Sequence, residues 1–116
     1  MSAVEGGVTA PKGFRASGVA AGIKRTSTKN DCALVVSDSA ASVAGMFTTN
    51  VMKAPPVEWN VGVCAKGAAR AVFVNSGNAN AATGERGHRD ARAMAEAVAG
   101  NVHASADEVC VCSTGV

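Results

Sequence analysis

Large side chains are scarce in this chain. Tyrosine is absent, and phenylalanine and tryptophan together supply 3% of its 116 residues. A platform for single-stranded nucleic acid needs aromatic faces spaced among basic residues. Lys12, Arg15, Lys24, Arg25 and Lys29 outnumber Glu5 over the first thirty positions, but no run of aromatics lies between them. With a net charge of only +2, they read as a solvated strand face and a turn, not as a nucleic-acid surface. Long apolar runs are also missing. The longest falls far short of the roughly 20 residues that cross a bilayer, so no membrane span is expected. Cys32, Cys64, Cys110 and Cys112 form no C-x-x-C pair, and His88 and His103 stand apart from them, so no metal site is expected. Neither G-x-G-x-x-G nor a phosphate-binding G-x-x-x-x-G-K-[ST] occurs. The G-x-S-x-G nucleophile elbow is likewise absent. With no secretory leader legible, the free cysteines fit a reducing compartment.

What is present is small and apolar. Hydrophobic residues make up 47% of the chain and charged ones 17%, which excludes a disordered tail. Most of the apolar residues are alanine and valine. Each buries little area, at about 25 cal/mol per Å², so the core is expected to be thin and to pack against further chain. Cys110 and Cys112, two apart in a strand-like run, are expected on one face as small core hydrophobes.

Hydropathy and turn signals divide the chain. Phe14 to Lys24 reads as a strand with close backbone approach, followed by a polar turn through Asp31. Cys32–Val36 is a continuous apolar run of strand length. Ser37-Asp38-Ser39 reads as a turn leading to a second strand over Val43–Thr49, the two forming an antiparallel hairpin. Pro55 and Pro56 suit the first turn of a helix running toward Lys66. Arg70–Val74 is a further strand, and Asn75–Asn80 a loop of residues that accept left-handed backbone angles. Ala91, Met94, Ala95 and Val98 form one apolar stripe on a helix over Arg86–Ala99, with Arg92 and Glu96 paired on its outer side and Gly100 as its stop. Ser105–Glu108 reads as a capped turn before a last strand, Val109–Ser113. Strands in hairpins followed by strand, loop, helix and strand specify a layered α/β domain.

Candidate chemistry is thin when each motif is taken alone. No serine or threonine has an obvious base beside it, and the histidines read as surface residues. Thr114-Gly115, at the end of the last strand, offers a hydroxyl and a main-chain N–H to a developing oxyanion, although Ser-Thr-Gly is also common in turns. The Asn75–Asn80 loop reads either as a binding loop or as a connection whose asparagines bond their own backbone.

Taken together, the motifs are far more specific. Gly6-Gly7-Val8-Thr9-Ala10-Pro11-Lys12-Gly13-Phe14 is followed by Ala21-Gly22-Ile23-Lys24 and Asp31-Cys32-Ala33-Leu34-Val35. Phe47-Thr48-Thr49-Asn50, Ala54-Pro55-Pro56-Val57, Val74-Asn75-Ser76-Gly77-Asn78-Ala79-Asn80-Ala81, Thr83-Gly84 and Ser113-Thr114-Gly115-Val116 come next. In this order the chain resembles the N-terminal, α-chain region of the ornithine acetyltransferases, the bifunctional glutamate N-acetyltransferases of arginine biosynthesis. The resemblance implies that residues 1–116 are an incomplete domain of a layered α/β sandwich. That sandwich is like the N-terminal-nucleophile hydrolases but differs in connectivity. It further implies a precursor that cuts itself before a threonine, which then carries acetyl from N2-acetylornithine to glutamate. Some members also accept acetyl-CoA, and no other cofactor is implied. The α chain and the self-cleaved β chain assemble as a heterotetramer. Thr114 and Gly115 match the family's oxyanion-hole pair. Members continue with Ile-Gly after the position of Val116, so the nucleophile is expected downstream and none is assigned in this chain. A cytoplasmic enzyme is expected, with a processed organellar form as the alternative. Two other readings remain open: a related acyltransferase or aminopeptidase on the same scaffold, and a noncatalytic α/β binding module.

Overall fold

The computed structural model describes residues 5–115. Four strands form one sheet: β1 (Phe14–Val19), β2 (Cys32–Ser42), β3 (Ala68–Ser76) and β4 (Val109–Thr114), in the order β1-β2-β3-β4. β1 and β2 are antiparallel, as are β2 and β3, whereas β3 and β4 are parallel. Helix α1 (Pro55–Ala65) joins β2 to β3, and α2 (Gly84–Val102) is the crossover that the parallel β3–β4 pair requires. The expected layered α/β class is the one observed.

Strand alternation assigns the two faces of the sheet. Val36, Ala71, Val109 and Val111, with the half-buried Leu34, turn toward α2 and meet the buried Ala91, Ala95 and Ala99. Alanine on the helix lets its backbone approach the sheet closely, while valine supplies the area. No fully buried side chain among the described residues is larger than valine, in keeping with the thin core expected. The opposite face, with Ala33 and Val72 exposed, is open among the described residues except at Cys110, which packs against α1. α1 lies instead along the outer edge of β4. Its Trp59 Nε1–H donates to the Val109 carbonyl at 2.9 Å, and Val63 packs with Ala69 and Cys110.

Several boundaries differ from those read in the sequence. β1 ends at Val19 rather than reaching Lys24, because Asp31 gathers the following amides into a loop. Ser37-Asp38-Ser39 is not a turn. β2 runs straight through it, since Ser37 pairs with Phe14 on β1 and Arg15 Nε binds Asp38 at 2.9 Å. The cost appears on the other side, where Ser37–Ala40 bulge away from β3 and Arg70 Nε donates to the Ser37 carbonyl at 3.1 Å. Val43–Thr49 is not a strand, because β1 and β3 already occupy both sides of β2. The hairpin expected there is formed instead by β1 and β2. Gly100 does not stop α2, which gains the burial of Val102 and ends at His103, at φ 52°. Cys110 is buried as expected, but Cys112, on the same face two residues on, is exposed.

Candidate functional site

The ends of β3 and β4 meet the loop after β1 at one edge of the sheet, and Thr114-Gly115 sits there. Thr114 is paired with Ser76 across the parallel ladder. It shares its face with Cys110 and Cys112, so its hydroxyl lies on the side of the sheet away from α2. The Thr114 carbonyl accepts the Gly77 N–H at 2.8 Å. Along β4 the backbone groups of Val109 and Val111 point outward to α1, and Gly115 follows the last strand residue at φ +113°. Among the described residues, no hydrogen bond engages the Thr114 hydroxyl or the Gly115 N–H. Two adjacent residues at the strand tip, Thr114 and Gly115, therefore each keep an uncommitted donor among the described residues.

Glycine is required here on both sides. Gly115 has φ +113°, and a Cβ on it would lie 2.7 Å from the Gly77 Cα. Gly77 has φ +108°, and a Cβ on it would lie 2.6 Å from the Lys24 Cγ. Real side-chain carbons do not approach so closely, and these backbone angles are costly for any residue with a Cβ. The two backbones touch because Gly115 carries no side chain, while the missing side chain of Gly77 leaves room for Lys24 and Ile23.

Asp31 underlies the neighbouring loop. It is 2% exposed. Its Oδ1 accepts the Ala21 N–H at 2.6 Å and its Oδ2 the Lys24 N–H at 3.1 Å. The Lys24 amide, followed by that of Ala21, holds the carboxyl below its usual range against the opposing effect of burial. In sequence Asp31 reads as the end of a polar turn, and this role is not legible there. The available signal was a single acid between a polar turn and an apolar strand, where backbone amides need an acceptor.

The Asn75–Asn80 loop is largely self-satisfied. Asn75, 6% exposed, donates from Nδ2 to the Asn78 carbonyl at 3.1 Å and accepts the Ser113 hydroxyl at 2.6 Å. Asn80 Nδ2 donates to the Gly87 carbonyl at 2.8 Å, and the Thr83 hydroxyl bonds to Asn80 Oδ1. Asn75 thus bonds the loop's own backbone and braces the β4 tip, while Asn80 ties the loop to α2. The histidines are exposed, with His88 3.6 Å from Glu58. No group of three or more metal-ligating side chains occurs among the described residues. Nor is any helix among them long and apolar enough to cross a membrane.

The architecture and the strand tip define a layered α/β protein whose last strand ends, at Thr114 and Gly115, in a glycine-packed corner. The chain belongs to the ArgJ family, whose profile matches residues 15–116. It is 49% identical over 116 residues to the arginine biosynthesis bifunctional protein ArgJ of Caldanaerobacter subterraneus subsp. tengcongensis, covering all of this chain and 28% of that protein. It is 53% identical over 118 residues to the ArgJ of Mycolicibacterium paratuberculosis, covering 97% of this chain and 29% of the relative. In structure it is similar to the ornithine acetyltransferase of Mycobacterium tuberculosis complexed with ornithine. That match has a TM-score of 0.89 and 50% identity, over 94% of this chain and 59% of the solved one. The chain thus spans little more than a quarter of the curated relatives it matches.

Proposed function

We propose that this chain supplies the oxyanion hole of an acetyltransferase that moves acetyl from N2-acetylornithine to glutamate in arginine biosynthesis. The observation that carries the reading is the pair of donors at Thr114 and Gly115, held against Gly77 in a chain of the ArgJ family. The nucleophile is a threonine on the downstream part of the polypeptide, freed when the precursor cuts itself. Its hydroxyl adds to the acetyl carbon of N2-acetylornithine, and the carbonyl oxygen becomes an oxyanion. Collapse breaks the C–N bond, the departing amine of ornithine takes a proton, and acetyl remains on threonine as an ester. The glutamate amine then attacks the ester through a second oxyanion, and release of N-acetylglutamate regenerates the hydroxyl.

Both tetrahedral states place negative charge on the same oxygen. A hydroxyl and an amide already in position stabilise it without reorganisation at the moment of reaction. Acetyl-CoA can donate through the same intermediate, because its thioester forms the same oxyanion, and no resident cofactor enters the scheme. A self-cleaved β chain, a heterotetramer of two α and two β chains and a cytoplasmic setting complete the proposal. The bacterial relatives support that setting, whereas the plant relatives are named chloroplastic and fit a processed organellar form. In the full-length protein, Thr114→Ala is expected to lower kcat on the order of 10²–10³ with a smaller change in KM for N2-acetylornithine. Turnover near that of the parent protein would sink the proposal.

A further inference from the structure

The acid that shapes the corner lies outside the donor pair. Asp31 immediately precedes β2, at the sheet end where β3 and β4 finish. Its backbone is fixed on both sides: its N–H donates to the Val19 carbonyl at 3.0 Å, and its carbonyl accepts the Ser76 N–H at 2.8 Å. No Lys, Arg or His side chain among the described residues forms an ion pair with its carboxylate. A carboxylate buried to 2% exposure therefore spends both oxygens on main-chain amides, those of Ala21 and Lys24. This wraps Ala21–Lys24 around the acid and lays the Ile23 and Lys24 side chains against Gly77, whose absent Cβ would lie 3.3 Å from Ile23 Cγ2 and 2.6 Å from Lys24 Cγ. On its other side, Gly77 meets Gly115 and donates to the Thr114 carbonyl.

We infer that Asp31 is a positioning residue for the Thr114–Gly115 pair, acting through the loop Ala21–Lys24 and through Gly77. The inference rests on the reading of Thr114 and Gly115 as the oxyanion hole. Gly77 has a wall on each side, so its place is set by the loop that the carboxylate holds. Asparagine at position 31 keeps the shape but replaces one acceptor with a donor that faces an amide N–H. The loop then loses one of its two anchors, and Gly77 and the β4 tip move with it. Displacements of this kind, remote from the chemistry, cost rate more than ground-state binding.

The test is Asp31→Asn in the full-length enzyme. The competent fraction is counted from the burst of acetyl-enzyme, so that loss of folded protein is separated from loss of rate. The expected result is a fall in kcat per competent site of about 10- to 100-fold, with KM for N2-acetylornithine changed by less than about threefold. A smaller fall in kcat per competent site overturns the inference, since a residue needed only for folding lowers the burst and leaves the rate of each remaining site intact. If Asp31→Asn yields no folded protein, Gly77→Ala takes its place, with the same expected split and the same overturning result. Thr114→Ala is measured in parallel. A slow Thr114→Ala beside a normal Asp31→Asn removes the positioning role alone, and a normal Thr114→Ala removes the oxyanion reading with it.

Discussion

Asn60 on α1 and Val111 on β4 exchange two hydrogen bonds. Asn60 Nδ2 donates to the Val111 carbonyl and Asn60 Oδ1 accepts the Val111 N–H, each at 2.9 Å. A side-chain carboxamide offers the same donor and acceptor as a peptide group, so Asn60 does at this position what a fifth strand would do. With Trp59 bonded to Val109, it closes an edge that would otherwise be open to pairing with another chain. Val111 is fully buried, and its backbone groups have no easy recourse to water. Asn60→Ala is therefore expected to cost about 2–3 kcal/mol, from two buried backbone groups losing their partners. Urea unfolding of the full-length protein checks this, and an unchanged midpoint would show that the edge does not depend on Asn60.

Two glycines of α2 are expected to respond to alanine with opposite signs. In an ordinary helix interior, Gly→Ala gains about 1 kcal/mol. At Gly100 a Cβ meets nothing within 4 Å, so Gly100→Ala should show that gain. At Gly87 a Cβ would lie 2.8 Å from Pro55 Cγ and would also collide with the Thr83 hydroxyl and Asn80 Oδ1. Overpacking costs about 1–3 kcal/mol, which outweighs the propensity gain, and the Asn80 bond to the Gly87 carbonyl is disturbed as well. Gly87→Ala should lower the thermal midpoint while Gly100→Ala raises it. Shifts of the same sign would mean that the first turn of α2 is not packed as described.

Local pattern was legible wherever one element decides its own structure. The stripe Ala91, Met94, Ala95, Val98 found α2 and its buried face, the Arg92–Glu96 pair forms at 2.7 Å, and the capped turn expected over Ser105–Glu108 is a short helical turn closed by a capping box. Pro55 and Pro56 begin α1 as read, although its one-sided contact with a strand edge leaves little periodicity to see. The misreadings share a cause: the deciding partner is distant in sequence. Ser37-Asp38-Ser39 has turn composition, but Phe14 and Arg15 hold it in a strand. Val43–Thr49 has strand composition, but every place beside β2 is taken. The site divides in the same way. Thr114 and Gly115 were reached through family likeness, whereas the stacking of Gly115 on Gly77 and the grip of Asp31 on Ala21 and Lys24 join segments that no local window connects.

Cys110 links the core to alkaline pH. Burial, reinforced by the neighbouring Cys64 thiol, pushes its pKa from 9.0 up to about 11. The folded protein thus holds this proton more tightly than the unfolded chain does. Below about pH 9 both states carry the proton and the full contribution to stability is present. As pH rises toward 11 the unfolded chain releases its proton first, and that contribution is lost. Lysines also titrate in this range, so the useful quantity is the difference between the parent protein and Cys110→Ala, in which the other titrations cancel. The parent's thermal midpoint relative to Cys110→Ala is expected to be highest at pH 8 and to decline by pH 10.5. A constant difference across that span would mean that the thiol ionises as readily in the fold as in the open chain, and that α1 does not shield it.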